Sequence, residues 1–359
     1  MSVASVSRVV NGHTNVTPET RQRIAEVIDR LHYVPHPTAR SLITKRTHVI
    51  GVLLPDLYDA FFSELIRGID VEARQQGFHL LLSCSHGDTG EMAAAIRAMH
   101  GRVEGLLLLA PQLDSAELGE LGATVPTVFM NSRVDDRVSS LAIDNYGGAR
   151  AMVRHLASRG HRTIAHVAGP IDNFDSHERE RGYRDELVTS LPAARPLVIR
   201  GDFTEASGYA AGRTLAAATP RPAAVFAAND MAALGCLAAF RAMSLEVPRD
   251  IAVAGFDDIP IAAYVRPALT TMRIPIVELG RGAVMELANA IAHRATRPVT
   301  TMFHPELVVR ESCGSSSQAP LRTRKPASDG GHDGHEPRSS SSVRTTRPRP
   351  SRRAKRASR

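Results

Sequence analysis

Residues 223–243 read AAVFAANDMAALGCLAAFRAM, and this stretch decides the fold class. The run Ala223–Ala227 is short and apolar, which is typical of a strand that is buried on both faces. Asn229 then opens a helix-length amphipathic segment, Asp230–Met243. A buried strand that leads directly into a helix is the repeating unit of a parallel sheet covered by helices.

The same alternation extends in both directions, from about residue 48 to residue 312. The other predicted strands are His48–Leu54, His79–Ser83, Gly105–Ala110, Thr127–Asn131, Thr163–Ala168, Leu197–Arg200 and Ile251–Gly255. The other predicted helices include Phe61–Gln76, Gly90–His100, Tyr146–Arg159, Glu178–Ser190 and Glu205–Ala218. About eight strands exceed one open sheet of ordinary size. We therefore predict an α/β body of two doubly wound parallel-sheet lobes, with a ligand cleft at the carboxyl ends of their strands.

Both ends of the chain differ from this body. Residues 1–48 carry a surplus of four positive charges and residues 315–359 a surplus of nine, whereas the middle has six more acids than bases. Basic character confined to the ends suggests nucleic-acid contact there, or simply a solvated charged face. The end 315–359 is rich in Ser, Arg, Pro and Gly, so we expect it to be disordered. Such a tail either adds non-specific attraction to phosphates or has no role.

The N-terminal residues predict a small all-α head. Ser2–Val10 is a short helix candidate. A second helix begins with Thr17 as N-cap and Pro18 at the first helical position, and reaches about Leu31. Pro35 and Pro37 interrupt the chain before a third short piece, Thr38–Thr44.

Nine short strings, in this order and spacing, resemble the LacI/GalR family of bacterial transcription repressors. They are VSRVVNG (6–12), VTPETR (16–21), LHYVPH (31–36), ARSL (39–42), VIGV (49–52), GHR (160–162), ERERGY (178–183), AND (228–230) and GFDD (255–258). Each string alone is weak, but their ordered combination covers roughly residues 1–312. The resemblance implies a helix-turn-helix head and a periplasmic-binding-protein-like body.

The resemblance also shows a departure at the start of the chain. Family members carry a further helix before the recognition helix, whereas Met1 lies almost at the start of the recognition helix here. Either the true start codon lies upstream or the head is incomplete. We expect an upstream start, because the remaining head residues are intact in type and spacing.

The resemblance assigns DNA-contacting positions. Ser2, Val3, Ala4 and Ser5 match positions that face base edges in the major groove, and Ser7, Arg8 and Asn11 match positions near phosphates. The alternative is an ordinary helix N-terminus with a serine cap. Ala39, Arg40 and Leu42 match the hinge helix, whose leucine is a wedge in the minor groove. The alternative there is a plain interdomain linker.

Polar and aromatic residues near predicted strand ends suggest the ligand site. The candidates are Asp56, Phe62, Arg133, Asp144, Arg179, Phe203, Asn229 and Asp257, of which Arg179 matches the family arginine that reaches the ligand. Carboxylates, an amide, an arginine and aromatic rings around one cleft suit a polyhydroxylated ligand. Each acid could instead be a helix cap or a surface charge.

An enzyme is disfavoured by the same residues. Asp257 and Asp258 are adjacent, so in an extended chain their side chains point apart and cannot share a proton. Neither a GxSxG elbow nor an HExxH, P-loop or GxGxxG motif is present in the sequence. We expect no cofactor and no metal site. Cys84, Cys236 and Cys313 share no metal or redox spacing, which is typical of reduced packing residues in the cytoplasm.

These observations predict a truncated head (1–34), a hinge linker (35–47), a two-lobed body (48–312) and a disordered basic tail (313–359). We place lobe 1 at about 48–159 and 275–297, and lobe 2 at about 160–274 and 298–312. We predict a cytoplasmic repressor that binds a pseudopalindromic operator as a homodimer, does not contact a membrane, and releases DNA when a carbohydrate effector binds between the lobes. The alternative is a sugar-binding module that does not bind DNA.

Overall fold

The structure is a computed structural model that describes residues 2–10, 15–31, 46–109, 125–131, 138–293 and 297–314. Two helices form its N-terminal part, α1 (Val3–Val10) and α2 (Pro18–Arg30), as predicted. Thr17 occupies the N-cap position of α2, but its hydroxyl bonds to the Thr20 hydroxyl rather than to a helix N–H. Ile24 of α2 is buried, and α1 packs against α2. The predicted piece Thr38–Thr44 lies outside the described residues.

Lobe 1 contains a six-stranded parallel sheet. Its strands are β1 (Val49–Leu54), β2 (His79–Cys84), β3 (Gly105–Leu109), β4 (Thr127–Met130), β5 (Ser139–Ile143) and β11 (Thr300–Phe303), in the order β11-β5-β4-β3-β1-β2. Helices α3 (Ala60–Gln75), α4 (Thr89–Met99) and α9 (Ile276–Ala292) cover it. Helices α3 and α9 lie very close together, since a Cβ on Gly280 would meet the backbone of Leu65.

Lobe 2 contains a four-stranded parallel sheet with helices around it. Its strands β6 (Ile164–Ala168), β7 (Leu197–Arg200), β8 (Ala224–Ala227) and β9 (Ala252–Ala254) are ordered β7-β6-β8-β9. Its helices are α5 (Asn145–Ser158), α6 (Phe174–Ser190), α7 (Glu205–Ala217) and α8 (Asp230–Ala242). The short strands β10 (Thr271–Arg273) and β12 (Glu306–Val308) pair antiparallel beside it. The prediction of two parallel-sheet lobes is confirmed.

Two of the predicted lobe boundaries are corrected. Helix α5 was expected in lobe 1, but it packs against α6, and the Phe256 ring lies against its Gly148. Residues 298–312 were expected in lobe 2, but residues 300–303 form β11, which pairs with β5, with Ser140 opposite Thr300. The pairing joins residues about 160 positions apart, so the sequence around either strand carries no local sign of it.

The chain crosses between the lobes three times: after β5, before α9 and after β11. The first and third crossings lie side by side, because the Asp144 amide donates to the Phe303 carbonyl at 2.9 Å. Cys236 and Cys313 are buried and Cys84 is half-buried, and none of the three forms a disulfide. In the described ranges, no helix has both the length and the apolar character that crossing a bilayer requires.

Candidate functional site

A cavity of about 530 Å³ lies between the two lobes, at the carboxyl ends of the strands of both sheets. Segments that follow β1, β2 and β4 form its lobe 1 wall, and segments that follow β6, β7, β8 and β9 form its lobe 2 wall. Parallel strands place their connecting loops at one edge, which is why chain segments far apart in sequence meet here. The volume falls within the usual range for small-molecule sites, about 300–1,000 Å³.

Arg179 lies at the base of this cavity and is almost entirely buried. Its Nε donates to Asn145 Oδ1 at 2.7 Å, its Nη1 donates to the Ala228 carbonyl, and its Nη2 lies 3.4 Å from Asp257 Oδ1. The guanidinium carbon is 3.9 Å from the centre of the Phe256 ring, which supports it as a flat base. Arg179 is therefore fixed in one orientation before any ligand arrives.

A buried polar cluster that sequence reasoning missed surrounds this arginine. Asp175 is one helical turn before Arg179 on α6, and its carboxylate accepts from the side-chain amides of Asn131 and Asn145. The bond from Asn131 crosses from lobe 1 to lobe 2. The sequence prediction began α6 at Glu178, whereas Asn173 caps the helix and Phe174 begins it. The sequence did contain one sign of this cluster: the i,i+4 spacing of Asp175 and Arg179 places the two side chains next to each other on a helix.

Asp257 lines the cavity, but not in the way the sequence suggested. The pair Asp257–Asp258 is not extended: the φ values are 108° and 56°, both in the left-handed region. Asp257 faces Arg179, while Asp258 pairs with Arg273 at 2.7 Å and Arg310 at 2.6 Å. The two carboxylates are thus held apart by different arginines, and the premise of an extended chain is wrong.

Burial shifts the ionisation of the cavity carboxyls. It raises the pKa of Asp175 to about 7 and the pKa of Asp257 to about 7, and the positive charge of Arg179 offsets only part of either shift. Asp257 Oδ1 has no hydrogen-bond partner among the described residues. The floor of the cavity thus holds two carboxyls that compete for one guanidinium.

Phe203 and Asn229 form one structural unit in the lobe 2 wall. Asn229 Oδ1 caps α8 by accepting from the Ala232 amide at 2.9 Å, and its Nδ2 donates to the Phe203 carbonyl at 3.0 Å. Phe203 has a φ of 71°, and its ring lies so close to Gly169 that a Cβ there would overlap it. Asn229 thereby holds the loop that presents the Phe203 ring to the cavity.

The lobe 1 wall contains Asp59 and two of the candidate ligand residues, Asp56 and Phe62. Asp56 Oδ1 accepts from the amides of Leu57 and Tyr58, so that carboxylate closes its own turn. Asp59 caps α3 through the Phe61 amide at 3.0 Å. Phe62 is half-buried and meets the Phe61 ring edge-on at 5.5 Å.

Two predicted ligand residues are not brought to this cavity by the described structure. Asp144 caps α5 through the Gly147 amide at 2.8 Å and pairs with His304 at 3.3 Å, so it lies at the lobe crossing and not in the cavity lining. It therefore has the capping role that the sequence left open as the alternative. Arg133 lies outside the described residues.

Some of the predicted DNA-contacting residues lie within the described structure and others lie outside it. Ser2 precedes α1 and accepts from the Ser5 amide at 3.2 Å, which is a local cap. Ala4 and Arg8 are exposed, Ser5 and Ser7 are partly buried, and Val3 begins the helix. Asn11 and the three hinge residues Ala39, Arg40 and Leu42 lie outside the described residues.

Metal chemistry gains no support from the cavity. Across the described ranges, His, Cys, Asp and Glu side chains do not come together in any group of three that could hold an ion. The polar groups present are instead hydrogen-bonding groups beside aromatic faces, the combination that suits an organic ligand.

Comparisons with known proteins agree with this architecture. Sequence profiles match "Bacterial regulatory proteins, lacI family" at residues 1–36 and "Periplasmic binding protein-like domain" at residues 153–313. The HTH-type transcriptional regulator CelR of Thermobifida fusca is 34% identical over 322 residues, which cover 86% of this chain and 94% of the relative.

Solved structures show the same likeness. A transcriptional regulator CelR–cellobiose complex is 32% identical, with a TM-score of 0.67, over 87% of this chain and 96% of that one. The lac repressor dimer bound to operator and the anti-inducer ONPF is 28% identical, with a TM-score of 0.79 and the same coverage. The identity and the coverage together show that this chain belongs to the lacI family of bacterial regulatory proteins.

Proposed function

We propose that this protein is a transcriptional repressor whose affinity for operator DNA is controlled by a small polyhydroxylated ligand bound between its lobes. The observation that carries this proposal is the cavity itself, in which a pre-oriented Arg179 lies beside Asp257 and the Phe203 ring. Paired hydroxyl groups suit a guanidinium and a carboxylate, and a sugar ring face suits an aromatic ring. The CelR–cellobiose complex, as its name states, is a regulator of this fold with a sugar bound.

The geometry of the cavity supports our proposed set of ligand residues. We assign direct contact to Arg179, Asp257, Phe203 and Asn229 in lobe 2, and to Asp56 and Phe62 in lobe 1. Arg133 stays a prediction from the sequence. Asn145 bonds to both Arg179 and Asp175, and Asn131 joins Asp175 to lobe 1, so the ligand-binding guanidinium is connected to the bond between the lobes.

The DNA residues are proposed on the family match at residues 1–36 and on the basic surplus of this end. Ser2, Val3, Ala4 and Ser5 would meet base edges, and Ser7, Arg8 and Asn11 would meet the backbone. Ala39, Arg40 and Leu42 would form the hinge helix. Two such heads related by a twofold axis would read a pseudopalindromic operator, so we propose a homodimer that works in the cytoplasm.

The coupling needs no chemistry on the ligand, and we propose that the protein is not an enzyme. A ligand that binds one relative arrangement of the lobes better than the other shifts the population toward it. The lobe arrangement then sets the spacing of the two heads, and with it the affinity for the operator.

Gel-shift titration of an operator selected by the protein itself tests this function. We expect binding to one palindrome, with a midpoint that moves to higher protein concentration when an effector sugar is added. Sugar binding without affinity for any DNA would contradict the repressor and favour the sugar-binding module.

A further inference from the structure

The cavity is strongly acidic on both of its walls. Asp56 and Asp59 come from lobe 1, and Asp175, Glu205 and Asp257 come from lobe 2. Among the described residues that line the cavity, Arg179 is the sole arginine or lysine. Its positive charge is therefore shared by several carboxylates rather than matched to one.

The buried part of this charge is poorly compensated. Asp175 and Asp257 are each 5% exposed. Among the described residues, Asp175 accepts side-chain hydrogen bonds from the neutral amides of Asn131 and Asn145, and Asp257 Oδ1 has no hydrogen-bond partner. Arg179 already donates to Asn145 and to the Ala228 carbonyl, which leaves one Nη2 at 3.4 Å for Asp257. Buried carboxylates in this situation favour a cation.

The acids of the two lobes also act on one another across the cavity. Besides burial, the negative charges of Asp56 and Glu205 raise the pKa of Asp59, and those of Asp59 and Asp175 raise the pKa of Asp257. Like charges on facing walls oppose closure of the cleft. A positive group between the walls would turn that repulsion into attraction to both lobes.

In sequence, residues 132–137 (SRVDDR) contain two arginines and two aspartates, and residues 110–124 contain three acids without a lysine or arginine, so neither stretch carries a net positive charge.

We infer that the effector is a polyol that carries a protonated amine, in the simplest case an amino sugar. This inference rests on the proposed function and specifies the ligand of the same cavity. The ammonium group lies between the carboxylates of the two walls, and the hydroxyls bond to Arg179 and the cavity acids. Sugar phosphates and sugar acids are excluded, because they would add negative charge to a site that already has too much.

The first experiment compares ligands that differ only in charge. Calorimetric titration and thermal shift use glucose, galactose and mannose, each with its 2-amino, 2-acetamido and 6-phosphate derivatives. For one sugar we expect the amine to bind about tenfold or more tightly than the acetamide and the parent, with no binding of the phosphate. Added salt should weaken binding of the amine more than that of the parent.

A variant separates charge from shape. Asp59→Asn keeps a side chain that caps α3 well but removes one carboxylate. We expect it to reduce the preference for the amine over the parent sugar by about threefold or more. Asp88→Asn, a cap of α4 outside the cavity lining, should leave the preference unchanged.

The possible outcomes separate a failure of this inference from a failure of the proposed function. If a neutral sugar or a sugar phosphate binds more tightly than its amine and releases the operator, the inference fails and the proposed function stands. If no compound of the panel binds, the inference is overturned for hexose-sized ligands. If operator binding itself is absent, the proposed function has failed.

Discussion

The two walls of the cavity are built in different ways. In the lobe 2 wall, Arg179 is fixed by Asn145, Asp257 and the Phe256 ring. In the lobe 1 wall, the carboxylates of Asp56 and Asp59 serve their own turn and helix. The difference teaches that lobe 2 holds its ligand-binding guanidinium in place before a ligand arrives. Lobe 1 instead offers carboxylates that already stabilise a turn and a helix. Pre-organised groups lose little entropy on binding, so lobe 2 should carry most of the affinity.

Arg179→Lys attacks the organised wall directly, and we expect its effect to be the largest. Lysine keeps the charge but cannot bond to Asn145, the Ala228 carbonyl and Asp257 together. Effector affinity measured by calorimetry should fall about 100-fold or more, equivalent to about 3 kcal/mol. Arg181→Lys is the control, since that residue is two positions away, exposed, and paired with Glu178. Equal losses in both variants would contradict the assignment.

Gly169→Ala tests whether the Phe203 ring must keep its position. The new Cβ would overlap the ring and force it to move. We expect effector affinity to fall about tenfold, with Tm lowered by only a few degrees. Gly90→Ala in the first turn of α4 should change neither affinity nor Tm by a comparable amount. Unchanged affinity in Gly169→Ala would show that the lobe 2 aromatic face does not bind ligand.

The pH dependence of stability tests the junction between the walls. Asp175 and Asp257 hold their protons to higher pH when folded than when unfolded, so the folded state binds more protons between about pH 4 and pH 7. The ligand-free protein should therefore lose stability as pH rises through that window.

Asp175→Asn removes one of the two buried carboxyls. We expect the Tm gain of this variant over the unmodified protein to be larger at pH 8 than at pH 5, by about 2–4 °C for each kcal/mol of destabilisation that the substitution removes. Asp144→Asn, at a helix cap outside the cavity lining, serves as the matched variant. If the Tm of the unmodified protein rises between pH 5 and pH 8, and the Tm of Asp175→Asn rises by the same amount, then burial does not raise the pKa of Asp175 as argued.

Asp144→Asn is expected to have the smallest effect on ligand binding. Its side chain caps α5 and pairs with the exposed His304, and asparagine caps a helix about as well as aspartate. Effector affinity should stay within about twofold, and unfolding free energy within about 0.5 kcal/mol. A larger loss of affinity would return Asp144 to the set of ligand residues.

Much of the fold follows from local pattern. The strand Ala224–Ala227 and the helix Asp230–Ala242 lie where the apolar run and the Asn229 cap place them. Strands β5 and β11 were not predicted, because SSLAI and TTMF are short and acquire their role only by pairing with each other. The placement of α5 in lobe 2 depends on contacts with α6 and Phe256, which no local window contains.

The residues of the candidate site were also only partly found from the sequence. Arg179, Asp257, Asn229 and Phe203 reached the cavity because strand ends in a parallel sheet share one edge. Asp175 and Asn131 were missed, since their importance comes from a bond between lobes and not from a motif. Asp144 is also at a strand end, but that strand leads into the crossing rather than the cavity, a distinction that only the path of the chain reveals.

The three crossings between the lobes have a consequence for gene architecture. Neither lobe is a continuous piece of the chain, because each is completed by a segment that returns from the other. A single recombination point can therefore exchange the N-terminal head for another, but it cannot exchange one lobe without cutting the second. Exchange of one lobe alone would require more than one recombination point, because its segments are separated along the chain.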